Sequence, residues 1–175
     1  PTPVPRGRPG GPAPARLTAP DTRWAFAAAP GGPPDPFEAG EGKGTRRIWA
    51  LAYDRDLVFR AAHGPLTPED HDAYWCTGLQ PAGGEYHLLS YTFRRPEDGP
   101  VMGPPQFDGG NIALLLLNAD MAVVERLELS DHSSQDIAEA MGAHRSNVTV
   151  DGDSAWVSWD DPEGIRVQEI ELEWP

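Results

Sequence analysis

Cys76 is the only cysteine among the 175 residues of this chain, so no internal disulfide can staple it, and the sequence points to a reducing, cytoplasmic setting. Lysine is as scarce: Lys43 stands alone against thirteen arginines. No apolar stretch approaches the roughly eighteen residues that a membrane-crossing helix requires. None exceeds six residues, and Ile112 to Leu117, the most aliphatic of them, has the length of one strand. The spacings that announce chemistry are missing too. The chain has no Cys-x-x-Cys or His-x-x-x-His pair for zinc, no Gly-x-Ser-x-Gly elbow, and no glycine-rich loop leading a strand into a helix around a phosphate. Cys76 has no basic neighbour in sequence to activate its thiol. Neither a metal nor a cofactor is therefore expected.

Positive charge is the remaining shortage, and it is unevenly spread. Residues 1–48 carry seven basic and four acidic groups, 49–119 four and nine, and 120–175 three and fourteen, which gives +3, −5 and −11 and sums to the net −13. A nucleic-acid backbone or an anionic membrane would be repelled by the last third. A basic protein would be attracted to it.

Proline and glycine, by contrast, are abundant where charge is positive. Residues 1–44 hold eleven of the twenty prolines and eight of the nineteen glycines, a composition that cannot build its own core. The chain accordingly divides into a basic Pro/Gly-rich arm, 1–44, and a single acidic domain, 45–175. Trp24, Phe26 and Phe37 are the arm's anchors, the residues able to pin it to the body or to a neighbouring molecule.

The body reads as α+β: a predominantly antiparallel sheet of about seven strands, able to curl into a half-barrel, with two short helices. Ile48–Tyr53 and Leu57–Ala62 form a hairpin around Asp54-Arg55. Thr67, Pro68 and Asp70 supply a cap, a first helical position and a capping acid, which predicts a helix ending at Gly78. Residues 85–93 alternate as a strand, Ile112–Leu117 reads as a strand buried on both faces, and Ala122–Leu129 follows it after a turn at 118–120. Ser133 opens a second predicted helix that stops at Gly142. A meander closes the chain: Asn147–Val150, Ser154–Trp159 and Ile165–Trp174. In its last strand Ile165 and Val167 are out of phase with Ile170, Leu172 and Trp174, which predicts a β-bulge near Gln168-Glu169.

Several constellations could carry function. Residues 133–150 resemble a helix-turn-helix over fewer than twenty residues, but Val148-Thr149-Val150 favours a strand and the surrounding charge is of the wrong sign for DNA. Glu85, His87 and Tyr91 lie at alternate positions of one strand, where a carboxylate beside an imidazole could orient a general base inside a half-barrel cavity. They are the catalytic candidates of a small-molecule-binding or hydrolytic reading. Trp156 and Trp159, three apart in one strand, must point to opposite faces, and Asp160, Asp161 and Glu163 follow them. These five are the partner-binding candidates of the preferred reading: a non-enzymatic protein-interaction module of inhibitor, immunity or assembly type, with a basic protein partner or self-association through the arm. A structural particle component with an arm crossing to its neighbour is the third reading.

Overall fold

The computed structural model describes residues 22–30, 45–77, 79–95, 98, 110–132 and 142–172. Among them run eleven strands: β1 (Arg23–Pro30), β2 (Arg46–Tyr53), β3 (Phe59–His63), β4 (Asp72–Cys76), β5 (Gln80–Pro81), β6 (His87–Arg94), β7 (Asn111–Leu117), β8 (Val123–Glu128), β9 (His144–Asp151), β10 (Ser154–Asp161) and β11 (Gly164–Glu171). They form three antiparallel sheets, ordered β1-β2-β3, β4-β6-β7-β8 with β5 beside β6, and β11-β10-β9.

The apolar run Ile112–Leu117 becomes the middle of the middle sheet. All seven residues of β7 are buried, as a strand covered on both faces requires. Its register with β6 places Leu88, Ile112, Leu114 and Leu116 on one face, where they pack with Val148, Ala155, Val157, Trp159 and Ile170 of the C-terminal sheet. The other face carries Leu89, Tyr91, Phe93, Leu115 and Leu117, packed with Ile48 and Ala50 of the N-terminal sheet. The architecture is a stack of three sheets with two apolar seams.

This corrects the α+β expectation. Among the described residues there is no α-helix, and the sheet does not curl into a half-barrel, because each face of the central sheet is closed by another sheet. The helix predicted over 67–78 is β4 instead, preceded by a tight loop. Its capping residue is committed elsewhere: the Thr67 hydroxyl accepts a hydrogen bond from the Ile48 backbone N–H (3.2 Å) and its carbonyl accepts from the Arg47 guanidinium. Asp72 then takes the Arg46 backbone N–H at 2.8 Å and the Arg46 guanidinium at 2.8 and 3.0 Å, which holds the start of β4 beside β2. The helix predicted over 133–142 lies outside the described residues but for its last position.

Within the stretch set apart as the arm, Arg23–Pro30 form β1, paired in unbroken register with β2 from Arg23 opposite Tyr53 to Pro30 opposite Arg46. Trp24 and Phe26 face the inner seam and pack, half-buried, against its core. Phe37 lies outside the described residues.

Two substitutions test this stack. Leu115→Ala empties a fully buried position on the central sheet and is expected to lower the unfolding free energy by about 3 kcal/mol. Phe26→Ala, at the half-buried β1 position, is expected to cost about 1–2 kcal/mol. Urea unfolding measures both, and a Phe26→Ala chain as stable as the parent would show that β1 contributes nothing to the fold.

Candidate functional site

The C-terminal sheet is a meander of two tight hairpins. Asp151 pairs with Ser154 across Gly152-Asp153, and Gly152 supplies the left-handed backbone (φ +59°) that such a turn needs. Asp161 pairs with Gly164 across Pro162-Glu163. Alternation along the strands then sorts side chains strictly. Ala155, Val157, Trp159 and Ile170 face the core; Trp156, Asp160, Ile165, Val167, Glu169 and Glu171 face outward and are exposed.

The predicted bulge at Gln168-Glu169 is absent: β10 and β11 pair without a register shift from Ser154 opposite Glu171 to Asp161 opposite Gly164. The phase break in the sequence has a different cause. Ile165 and Val167 belong to the outer face and Ile170 and Leu172 to the inner one, so the strand carries apolar residues on both sides. The ladder's one shift lies instead between β9 and β10, near Ser158 and Asp160.

Register assembles the outer face row by row. Ser154 lies between Asp151 and Glu171, Trp156 between Thr149 and Glu169, Ser158 between Asn147 and Val167, and Asp160 between His144 and Ile165. An apolar strip of Trp156, Val167 and Ile165, exposed by 43%, 61% and 76%, is thus flanked by Asp151, Asp160, Glu169 and Glu171. Residues 145–171 hold two arginines against seven carboxylates. Arg166 is committed to Glu163 and lies 3.7 Å from Asp161, and Arg145 sits in the register shift between the Asn147–Ser158 and His144–Asp160 pairs, at a positive φ of 41°.

The partner-binding candidates therefore separate. Trp156 and Asp160 lie on the outer face, whereas Trp159 is buried in the seam. Asp161 turns away from the strip: its carboxylate meets His132 Nε2 at 3.1 Å and accepts from the Glu163 backbone N–H. Burial pulls its pKa up, but those hydrogen bonds, His132 and Arg166 hold it below the ordinary carboxylate value. Glu163 sits exposed in the hairpin turn, paired with Arg166. Ile165, Val167, Glu169 and Glu171 were not among the candidates; the out-of-phase pair Ile165 and Val167 was their signal in the sequence.

Glu85, His87 and Tyr91 are not brought together. Glu85 is exposed in the turn before β6, His87 is half-buried, and Tyr91 is completely buried. Burial lowers the His87 pKa, the direction opposite to that expected beside a carboxylate. A cavity of about 250 Å³ is lined by Glu85, Tyr86 and Asn118–Asp120, and one of about 340 Å³ by His63–Leu66 and Asp120–Val123, neither of which reaches His87 or Tyr91.

Tyr91 instead belongs to a polar cluster inside the N-terminal seam. Its hydroxyl lies 2.8 Å from His71 Nδ1, and His71 Nε2 lies 3.4 Å from the Glu128 carboxylate, so the neutral tautomer that suits both contacts carries its proton on Nε2 and accepts the Tyr91 O–H at Nδ1. The His71 ring is 1% exposed and stacks on Phe93 with centroids 3.6 Å apart. Glu128 is held in turn by Arg95 at 2.6 Å, and Arg95 reaches Asp131 at 3.1 Å. Burial pushes the His71 pKa from 6.5 down to about 4, outweighing the opposing pull of Glu128 and Asp70. The cluster ties the β3–β4 connection to β6 and β8. Among the described residues no group of three or more His, Cys, Asp and Glu is arranged to hold a metal ion. No helix among them is long and apolar enough to cross a membrane.

The His71 shift has a sign that can be measured. Native His71 binds its proton only near pH 4 whereas the unfolded imidazole does so near 6.5, so in that window the unfolded chain holds the extra proton and stability falls as pH drops. Asp72, whose pKa burial raises but the Arg46 hydrogen bonds bring below its ordinary 3.8, adds its loss only at lower pH. Urea unfolding between pH 7 and 4 is expected to show the decline in the parent and a flatter profile in His71→Gln; equal slopes would refute the assignment.

Compared with known proteins, the chain matches no family model, no curated protein and no solved structure.

Proposed function

We propose that this chain is a non-enzymatic protein-interaction module that binds a basic partner through the outer face of its C-terminal sheet. The observation that carries the reading is the strip of Trp156, Val167 and Ile165, contiguous in the strand register and flanked by four carboxylates, in a stretch where residues 145–171 hold seven carboxylates against two arginines. A folded domain ordinarily keeps such residues on its inner face. Three large apolar side chains on the solvent side of one small sheet form a cluster of the kind that marks interaction surfaces.

The chemistry favours a cationic partner over an apolar one. Tryptophan is the residue most enriched at binding hot spots, and its ring face attracts guanidinium and ammonium groups. The carboxylates at the rim supply long-range attraction and discriminate against acidic competitors. Such a surface serves an inhibitor, an immunity protein or an assembly subunit equally well, because each recognises one basic partner without performing chemistry on it.

Affinity capture from native lysate, compared across the parent, Trp156→Ala and Asp160→Lys/Glu169→Lys, tests the proposal. The parent is expected to retain a basic protein that elutes as salt approaches about 1 M, where the screening length falls to about 3 Å. Trp156→Ala is expected to weaken binding by about 2 kcal/mol or more, and the charge reversal to abolish capture, while both variants unfold at the parental urea midpoint. Retention of the same protein by the charge-reversed variant would refute the proposal.

A further inference from the structure

We infer that the partner contributes an extended segment that adds as a fourth strand along the outer edge of β11, with arginines opposite Glu169 and Glu171 and apolar residues opposite Ile165 and Val167. This rests on the proposed function and specifies its binding mode.

Among the described residues β11 pairs with β10 alone. One side of its backbone is therefore a row of donors and acceptors with no described strand beside it, over eight residues with no register shift. Edge strands are ordinarily blunted by proline, charged side chains, a bulge or brevity. β11 has no proline and no register shift and is among the longest strands in the molecule; its outward charges, Glu169 and Glu171, are of one sign, so they bar an acidic strand and admit a basic one. The opposite edge of the same sheet, β9, meets β10 through a register shift and carries the positive-φ residue Arg145. The two edges are thus built differently, and the regular one bears the exposed apolar and acidic residues.

The outward side chains of β11 read Ile165, Val167, Glu169, Glu171 in order, apolar at one end and acidic at the other. In an added antiparallel strand, each outward residue of the partner stands about 5 Å from its opposite number. A matching segment has two cationic residues at alternate positions followed by two apolar ones. Glu169 already sits directly opposite Trp156 on β10, so a cation reaching over Glu169 arrives at the indole two strand spacings, about 10 Å, from its own backbone. Arginine spans much of that distance and stacks on an indole while keeping donors for the carboxylate. The arrangement therefore selects arginine over lysine at that position.

The test uses the full chain and a fluorescein-labelled synthetic peptide with arginine at its first two outward positions, valine at the next two and threonine between them. The peptide is expected to bind the parent, to lose roughly tenfold in affinity when the arginine facing Glu169 becomes lysine, and to fail with Glu169→Lys/Glu171→Lys. Two N-methylated versions decide the geometry, because alternate residues of an added strand point their N–H groups toward β11 and away from it. Methylation in one phase is expected to abolish binding and in the other to leave it within about twofold. If both phases bind alike, strand addition is overturned while the proposed function stands, provided that Trp156→Ala still weakens the peptide. If the unmodified peptide fails to bind the parent, strand addition is overturned, and the proposed function is then decided separately by the capture experiment above. A dimer that light scattering detects and the peptide cannot dissociate would place a second copy on the edge, and would overturn the inference as well.

Discussion

Everything in this fold depends on the burial of β7 from both sides. A strand with seven consecutive buried residues has no solvent to satisfy its backbone, so its N–H and C=O groups must find protein partners, in the ladders with β6 and β8 or, for Ile112, in the Ser130 hydroxyl and the Leu129 N–H beyond β8. Its side chains, Leu114 and Leu116 on one face and Leu115 and Leu117 on the other, demand two separate covering layers. The N-terminal and C-terminal sheets meet that demand with three strands each. Because each covering sheet has only one face to give, its other face must be dealt with independently, and that is where the character of the molecule outside the core is decided.

Apolar seams between sheets fix distance but leave sliding weakly opposed, and the polar contacts supply the missing registration. Arg46 and Asp72 lock β2 to β4 by three hydrogen bonds. The Ser90 hydroxyl, fully buried on β6, accepts from Ser146 of β9 at 2.8 Å and meets the Thr77 hydroxyl at the same distance. Asn111, at the start of β7, accepts the His132 backbone N–H at 2.7 Å, and the His132 ring reaches Asp161 of β10 at 3.1 Å. Each pin joins one covering layer, or the loop leading to it, to the central sheet. The buried His71–Tyr91 bond belongs to the same class, with the difference that its histidine couples the seam to pH.

Period-two alternation made residues 85–93 and most of the meander legible, and Ile112–Leu117 was legible for a different reason, as a short continuous apolar run of strand length. What could not be read was the competition for a residue. Thr67, Pro68 and Asp70 carry every local mark of a helix start, yet the Thr67 hydroxyl has a partner nineteen positions away in Ile48, and no local rule sees that distance. The same limit hid the His71–Tyr91–Glu128 cluster, whose members are twenty and thirty-seven residues apart along the chain. In β11 the error was one of interpretation. The phase break was visible, and a bulge would have restored a single buried face, but the strand keeps its register and leaves Ile165 and Val167 outside. A sequence that departs from simple amphipathicity without a structural device to absorb the departure has placed apolar residues in water, and that is the strongest sequence-level mark of the candidate surface.

The placement of charge on that surface explains how the domain tolerates it. Asp151 and Glu171 stand on the outer strands with Ser154 between them, and Glu169 is separated from β9 by Trp156. No two of these carboxylates are direct cross-strand neighbours, the arrangement in which like charges destabilise a sheet. Asp151 and Glu171 are two strand spacings apart, about 10 Å, where salt at about 0.1 M weakens their repulsion, whereas Glu169 and Glu171 are successive outward positions of β11, about 7 Å apart, and reinforce each other's field. A cation approaching the middle of the face, over Trp156, has no such separation: Glu169 lies beside it in the register, and the carboxylates further along the sheet add to the potential it meets. The face is thus arranged so that its carboxylates avoid direct cross-strand pairing and act together on a positive visitor, with the indole beside Glu169 where it arrives.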